Sequence, residues 1–93
     1  MRHQFTIQNQ LGLHVRPAKK VVASAMSYPC SIFIEKDGSR FNAKSLVSIL
    51  SAGIKFGDTV TLLTEGDGEA EAMLVIGELL TAPIEGVPIR KEQ

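Results

Sequence analysis

Residues 4–26 read QFTIQNQLGLHVRPAKKVVASAM, and a change of period inside this stretch decides the fold. Phe5 and Ile7 alternate with Gln4, Thr6 and Gln8, the two-residue period of a half-buried strand. Asn9, Gln10 and Gly12 interrupt it. From there apolar residues fall at Val15, Ala18, Val21, Val22, Ala25 and Met26, spacings of three and four that make one stripe of a helix. Arg16, Lys19, Lys20 and Ser24 lie on the other side and give it a basic outer face. Pro17 sits in the first turn, where a missing N–H costs little. A strand, a glycine turn and a helix therefore follow one another, with His14 at the junction.

The rest of the chain extends this pattern. Tyr28 and Pro29 stop the helix, and SIFIEK (31–36) is strand-like with Ile32 and Ile34 on one side. Asp37-Gly38 is a two-residue hairpin signal leading to a short return strand over 39–42. SLVSILS (45–51) predicts a short helix capped by Ser45, with Gly53 just past its end and Leu46, Ile49 and Leu50 as its inner stripe. Phe56-Gly57-Asp58 is a turn, and TVTLLT (59–64) alternates again with Val60 and Leu62 inward. Asp67 is placed to cap a last helix, with Glu69 and Glu71 near its positive end. Ala72, Met73, Ile76, Leu79 and Leu80 form its core stripe, while Leu74 and Val75 fall off it. Residues 1–81 make one domain, and 82–93, with two prolines and a polar end, read as an extension or linker remnant. Four short strands with helices between them predict an α+β open-faced two-layer sandwich, an antiparallel sheet covered on one face by helices.

Composition narrows the function. Lys plus Arg number 10 and Asp plus Glu number 10, so the formal net charge is zero, which argues against nucleic acid as the main partner. A single-strand platform on the open sheet face needs exposed aromatics; the chain has four Phe and one Tyr, and only Phe33 is well placed. The one cysteine, Cys30, excludes an internal disulfide and reads as structural. His3 has no His, Cys or carboxylate cluster around it, so it reads as a surface residue and no metal site is expected. The start of the chain has no signal-peptide pattern and no apolar run is long enough for a bilayer, so a cytoplasmic protein without membrane insertion is expected.

The chemistry concentrates at Gly12-Leu13-His14-Val15-Arg16-Pro17. Four N–H groups at a helix start lack internal partners, and with the helix dipole they favour an anion. Arg16 adds a guanidinium suited to phosphate oxygens. A histidine there has one ring nitrogen free to attack phosphorus. A bland alternative is a histidine N-cap beside a solvated arginine.

The string Gly12-Leu13-His14-Val15-Arg16-Pro17-Ala18 resembles the active-site signature of the HPr family, the phosphocarriers of the bacterial phosphoenolpyruvate-dependent phosphotransferase system. Ala43-Lys44-Ser45-Leu46, followed by Gly53 and Gly57, is similar to the family's segment around its regulatory serine. Glu65-Gly66-Asp67 before the last helix is a third match. Together they run from about Phe5 to Leu80.

The resemblance implies a four-stranded antiparallel sheet with three helices on one face. It implies that enzyme I phosphorylates His14 on Nδ1, that Arg16, Pro17 and Ala18 hold the phosphoryl group, and that an enzyme IIA protein or domain in sugar uptake receives it. Partners would dock on Val15, Arg16, Lys19, Lys20, Leu46, Val47 and Leu50 of the first two helices. For Lys19 and Lys20 a plain solvated face is the alternative. Ser45 would be the target of an HPr kinase/phosphorylase in some hosts, or simply a helix cap. The carrier would be a monomer that needs no cofactor, a relay station rather than an enzyme.

Two positions depart from the family pattern. Val15 replaces a small or hydroxylated residue, and Leu11 replaces a polar one in the manner of the nitrogen-related branch, NPr. Nitrogen-branch regulation, a domain of a larger phosphotransferase protein, and a regulatory relative that binds a transcription factor are the other readings. The last is disfavoured by the presence of His14.

Overall fold

The computed structural model describes residues 1–82. The elements are β1 (Arg2–Thr6), α1 (Val15–Met26), β2 (Ser31–Lys36), β3 (Ser39–Asn42), α2 (Leu46–Ser51), β4 (Thr59–Glu65) and α3 (Glu69–Thr81). The sheet order is β1-β4-β2-β3, antiparallel throughout. The strands that join through α1 and α2 are therefore not neighbours, and the first strand pairs with the last. This is the α+β sandwich read from the sequence.

Register explains which residues build the core. Phe5 lies opposite Val60, Ile34 opposite both Leu62 and Phe41, and Ile32 opposite Thr64. Because side chains alternate across a strand, these residues share the face turned to the helices. Ile7, Ile32, Ile34, Leu62, Val60, Val21, Ile49, Ile76 and Leu80 are fully buried there. Burial of a side chain of this size contributes about 1.5–3 kcal/mol. Thr64 is also buried, and its hydroxyl donates to the Glu69 carbonyl at 2.9 Å, so it ties β4 to the start of α3 at no loss of hydrogen bonding. Gly77 lets α3 lie against β1; a Cβ there would stand 2.6 Å from Phe5 Cζ. The Asp37-Gly38 hairpin forms as predicted, with φ of 53° and 82°. Two successive left-handed residues match the strand twist of a primed turn.

Several expectations need correction. The strand β1 ends at Thr6, yet Ile7 is buried beyond it. Met26 ends α1 and is exposed, because it lies at the edge of the stripe that Ala18, Val21 and Ala25 bury. Val15 is exposed at the other end of the same stripe. In α2 only Ile49 is buried; Leu46 is packed partly against the core and Leu50 is exposed. Asp67 caps nothing: Gly68, in a left-handed conformation, is the N-cap of α3, and the Glu69 carboxylate accepts from the Gly66 amide at 3.0 Å. Cys30 is buried. Ala82, the first residue of the predicted extension, is buried as well. The remainder of the predicted extension, 83–93, lies outside the described residues.

On the opposite face of the sheet, Glu35 accepts from Arg40 Nη2 at 3.0 Å and from Arg2 Nη2 at 3.2 Å. The Arg40 hydrogen bond, with Arg2 adding to it, holds the Glu35 carboxyl below its usual value. Asp58 is lowered too, first by the Lys55 amide and then by Lys36. A carboxyl lowered by folding adds stability above its unfolded pKa and loses it as the pH falls through the folded one. The melting temperature is therefore expected to decline on acidification from about pH 5 to pH 2. The decline should be shallower in the Glu35→Gln/Asp58→Asn double variant, and thermal melts across that range check it. Parallel curves would show that neither carboxyl matters.

Candidate functional site

The segment between β1 and α1 is seated on the loop between α2 and β4. Ile7 N–H donates to the Asp58 carbonyl at 2.8 Å, and Gly57 N–H donates back to the Ile7 carbonyl at 2.9 Å. Asn9 is buried and turns the chain: its Oδ1 accepts from Leu11 N–H and its carbonyl from Gly12 N–H, both at 2.9 Å. Gly12 has φ of +71°, and a Cβ on it would meet the Ile54 carbonyl oxygen at 2.6 Å and Lys55 Cα at 2.9 Å. Only glycine takes that conformation without cost and comes that close. Leu13 N–H then donates to the Ile54 carbonyl at 3.0 Å, and its side chain enters the core.

His14 comes next, as the N-cap of α1. Its backbone is extended, with φ −79° and ψ −172°, and its side chain makes no capping bond. The half-buried ring is thus not spent on the helix. The His14 carbonyl accepts from Ala18 N–H at 2.9 Å. Pro17 has no N–H, so the first-turn amides without a helical acceptor are those of Val15 and Arg16. Val15 and Arg16 are exposed, whereas Pro17 and Ala18 are buried. Of the residues expected to hold a phosphoryl group, Arg16 brings a guanidinium and an amide, while Pro17 and Ala18 shape the turn. A nucleophilic ring, the first-turn backbone, the positive end of a twelve-residue helix and a guanidinium suit a phosphoryl group.

Ser45 is the N-cap of α2, and its Oγ accepts from Ser48 N–H at 3.2 Å. Next to it, Lys44 Nζ donates to the Tyr28 carbonyl at 2.7 Å, tying the approach to α2 to the end of α1. Gly53 lies past the helix end with φ +61°. Ser45→Ala should lower stability by about 1 kcal/mol, or roughly 4–8 °C in melting temperature. A thermal melt checks this; an unchanged midpoint would show that the cap is energetically idle.

The helices α1 and α2 pack against each other. Of the expected docking residues, Val15, Arg16, Lys19, Lys20, Val47 and Leu50 are exposed, Val47 by 78%, and Leu46 is half-buried. Two further exposed apolar residues border the His14 segment: Leu11 at 75% and Phe56 at 56%. Sequence reasoning placed Phe56 in a turn and gave it no role; its signal was an aromatic residue between a lysine and a glycine where a polar turn residue is usual. The structure also assigns parts that reasoning passed over to Asn9, Lys36 and Asp58. His3 is exposed and its ring is stacked at a tilt on Phe5, 5.0 Å between centroids. Phe33 is half-buried with the Arg40 guanidinium 5.4 Å from its ring centre, which leaves it a poor stacking platform. Among the described residues no group of three His, Cys, Asp or Glu could hold a metal ion, and no helix is long and apolar enough to cross a membrane.

Comparison with known proteins gives the same reading as the motifs. The family model described as the PTS HPr component phosphorylation site matches residues 1–82. The HPr-like protein Crh of Halalkalibacterium halodurans is 46% identical over 70 residues, 75% of this chain and 83% of the relative. The phosphocarrier protein HPr of Lysinibacillus sphaericus is 35% identical over 78 residues, 84% of this chain and 89% of the relative. The crystal structure of HPr-C-His from Thermoanaerobacter tengcongensis superposes with a TM-score of 0.83 at 39% identity, covering 86% of this chain and 90% of that one. A crystallised HPr dimer from the same organism also matches, with a TM-score of 0.65 at 42% identity over 77% of this chain and 83% of that one. The match spans every element from β1 to α3, and with it this chain belongs to the HPr family of phosphocarriers of the phosphotransferase system.

Proposed function

We propose that His14 accepts a phosphoryl group from phospho-enzyme I and passes it to an enzyme IIA protein or domain in sugar uptake. The observation that carries this reading is the position of His14, an N-cap whose ring is left out of the cap, two residues before Arg16. Nδ1 of the neutral imidazole attacks phosphorus, the bond from phosphorus to the donor breaks, and the electron pair leaves with the donor. The Val15 and Arg16 amides and the Arg16 guanidinium balance the phosphoryl charge. The acceptor then attacks from outside, so His14 is regenerated and the chain turns over no small substrate of its own. Val15, Lys19, Lys20, Leu46, Val47 and Leu50 would receive both partners, with the lysines steering acidic surfaces. Ser45 keeps its capping role in every host and becomes a regulatory site where an HPr kinase/phosphorylase is present.

The carrier works as a cytoplasmic monomer in this reading; a dimer of the kind crystallised for a relative is the alternative, and mass in solution separates them. A second reading is a regulatory HPr-like protein outside sugar uptake. It draws on the identity to Crh and on exposed Leu11, which is similar to the nitrogen branch. The test is incubation with phosphoenolpyruvate and enzyme I of each branch, followed by intact mass. One acid-labile phosphate from the sugar-branch enzyme supports the first reading. Labelling only by the nitrogen-branch enzyme, or none, supports the second.

A further inference from the structure

A single ammonium group holds both ends of the loop on which the His14 segment rests. Lys36, the last residue of β2, extends its Nζ to the Gly53 carbonyl at 3.2 Å and the Ala52 carbonyl at 3.4 Å. The same Nζ lies 3.4 Å from Asp58 Oδ2 and 3.9 Å from Asp37 Oδ2, and its side chain is only 19% exposed. Asp58 Oδ2 also accepts from Lys55 N–H at 2.8 Å. Residues 52 and 53 begin the loop and Asp58 ends it, so the cation closes it like a clasp. Its middle supplies the Ile54 carbonyl and the Lys55 backbone against which Gly12 is pressed, and to which Leu13 is hydrogen-bonded.

We propose that Lys36 and Asp58 are positioning residues for His14, acting through the 52–58 loop; the inference rests on the phosphocarrier reading above. Neither side chain is hydrogen-bonded or ion-paired to His14. If the clasp opens, two carbonyls and a carboxylate lose their cation and the loop relaxes. Gly12 has no free space on the loop side, and Leu13 is bound to the moving carbonyl, so the shift reaches His14 one residue later. Phosphoryl transfer is sensitive to displacements on the order of 1 Å. Apart from Val15, the residues proposed for docking lie further along α1 or on α2, outside the 52–58 loop, so partner affinity changes little. The carboxyl of Asp58, held low by the Lys55 amide and by Lys36, remains charged at neutral pH, which keeps the clasp shut.

The test uses the full chain and its Lys36→Met, Asp58→Asn and Lys36→Arg variants. In the enzyme I assay, Lys36→Met and Asp58→Asn should lower kcat at least fivefold with KM within twofold of the parent, and Lys36→Arg should recover kcat to within twofold. Two further readouts do not need enzyme I. One is direct labelling by phosphoramidate, in which the imidazole nitrogen bonds phosphorus, the P–N bond breaks and ammonia leaves. The other is the nuclear magnetic resonance shifts of the His14 ring together with hydrogen exchange of the Leu13 amide. The labelling rate should change, the ring shifts should move and exchange should speed up in Lys36→Met and Asp58→Asn, and all should return in Lys36→Arg. Unchanged ring shifts, exchange and labelling, with any loss confined to melting temperature, overturn the proposal. A parent chain silent toward enzyme I but labelled by phosphoramidate removes the relay reading, while the last two readouts still decide the clasp.

Discussion

His14→Ala takes up no phosphoryl group from phospho-enzyme I, while its melting temperature stays within about 5 °C of the parent. The two halves of this result have different causes. Alanine has no nitrogen to attack phosphorus, and the other histidine of the chain, His3, lies on β1. The stability is spared because the ring makes no capping bond to lose and is only half-buried. Alanine is a weak N-cap, but a histidine that does not use its side chain as a cap is no better. Intact mass after incubation with phosphoenolpyruvate and enzyme I, paired with a thermal melt, makes both measurements on one sample. Labelling at the parent level would move the acceptor to another residue, with His3 the first to examine.

Gly12→Ala has the largest structural effect expected of any single methyl in the described chain. A non-glycine residue at φ +71° is strained by roughly 1–2 kcal/mol. The added carbon also meets backbone on the opposing loop, the Ile54 oxygen at 2.6 Å, which cannot swing away as a side chain tip can. The total should be on the order of 3 kcal/mol, a fall of roughly 12–24 °C in melting temperature for a chain of this size. Relief of the clash pushes the 9–13 segment off its seat, so His14 leaves its place at the helix mouth. Phosphoryl acceptance, measured well below the melting point, should fall about tenfold or more. A folded variant that melts within about 3 °C of the parent and accepts at the parent rate would show that the loop is soft and that Gly12 does not locate the histidine.

How far the sequence could be read depended on how local each cause was. The turn at Asp37-Gly38 was legible because the two residues themselves supply the left-handed dihedrals. The Ser45 cap and Gly53 were legible for the same reason, since both act within one helical turn. His14 was legible as a strand-to-helix junction because a period change can be counted. Helix ends were harder. Met26 and Leu50 keep the right spacing but sit beside the buried Ala25 and Ile49 at the edge of their helix's inner stripe, and spacing carries no information about how wide that stripe is. At α3, Asp67 has the chemistry of a cap, yet glycines at 66 and 68 let the chain turn so that Glu69 closes the end with its own carboxylate. The support of the candidate site was not legible at all. Ile7 meets Asp58, Leu13 meets Ile54, and Lys36 meets both ends of the same loop, and nothing in residues 4–26 names those partners.

The pairing of the first strand with the last makes the candidate site a late product of chain synthesis. Among the described residues β1 has no strand neighbour other than β4, and the turn that holds His14 has no seat until residues 54–58 exist. As the chain emerges from the ribosome, α1 and the β2–β3 hairpin can form from local contacts, but the histidine stays unplaced. Contacts between such distant segments slow folding, because loop closure must precede them. The same topology guards the proposed relay: a chain cut short before β4 has the His14 motif in full and no site to go with it.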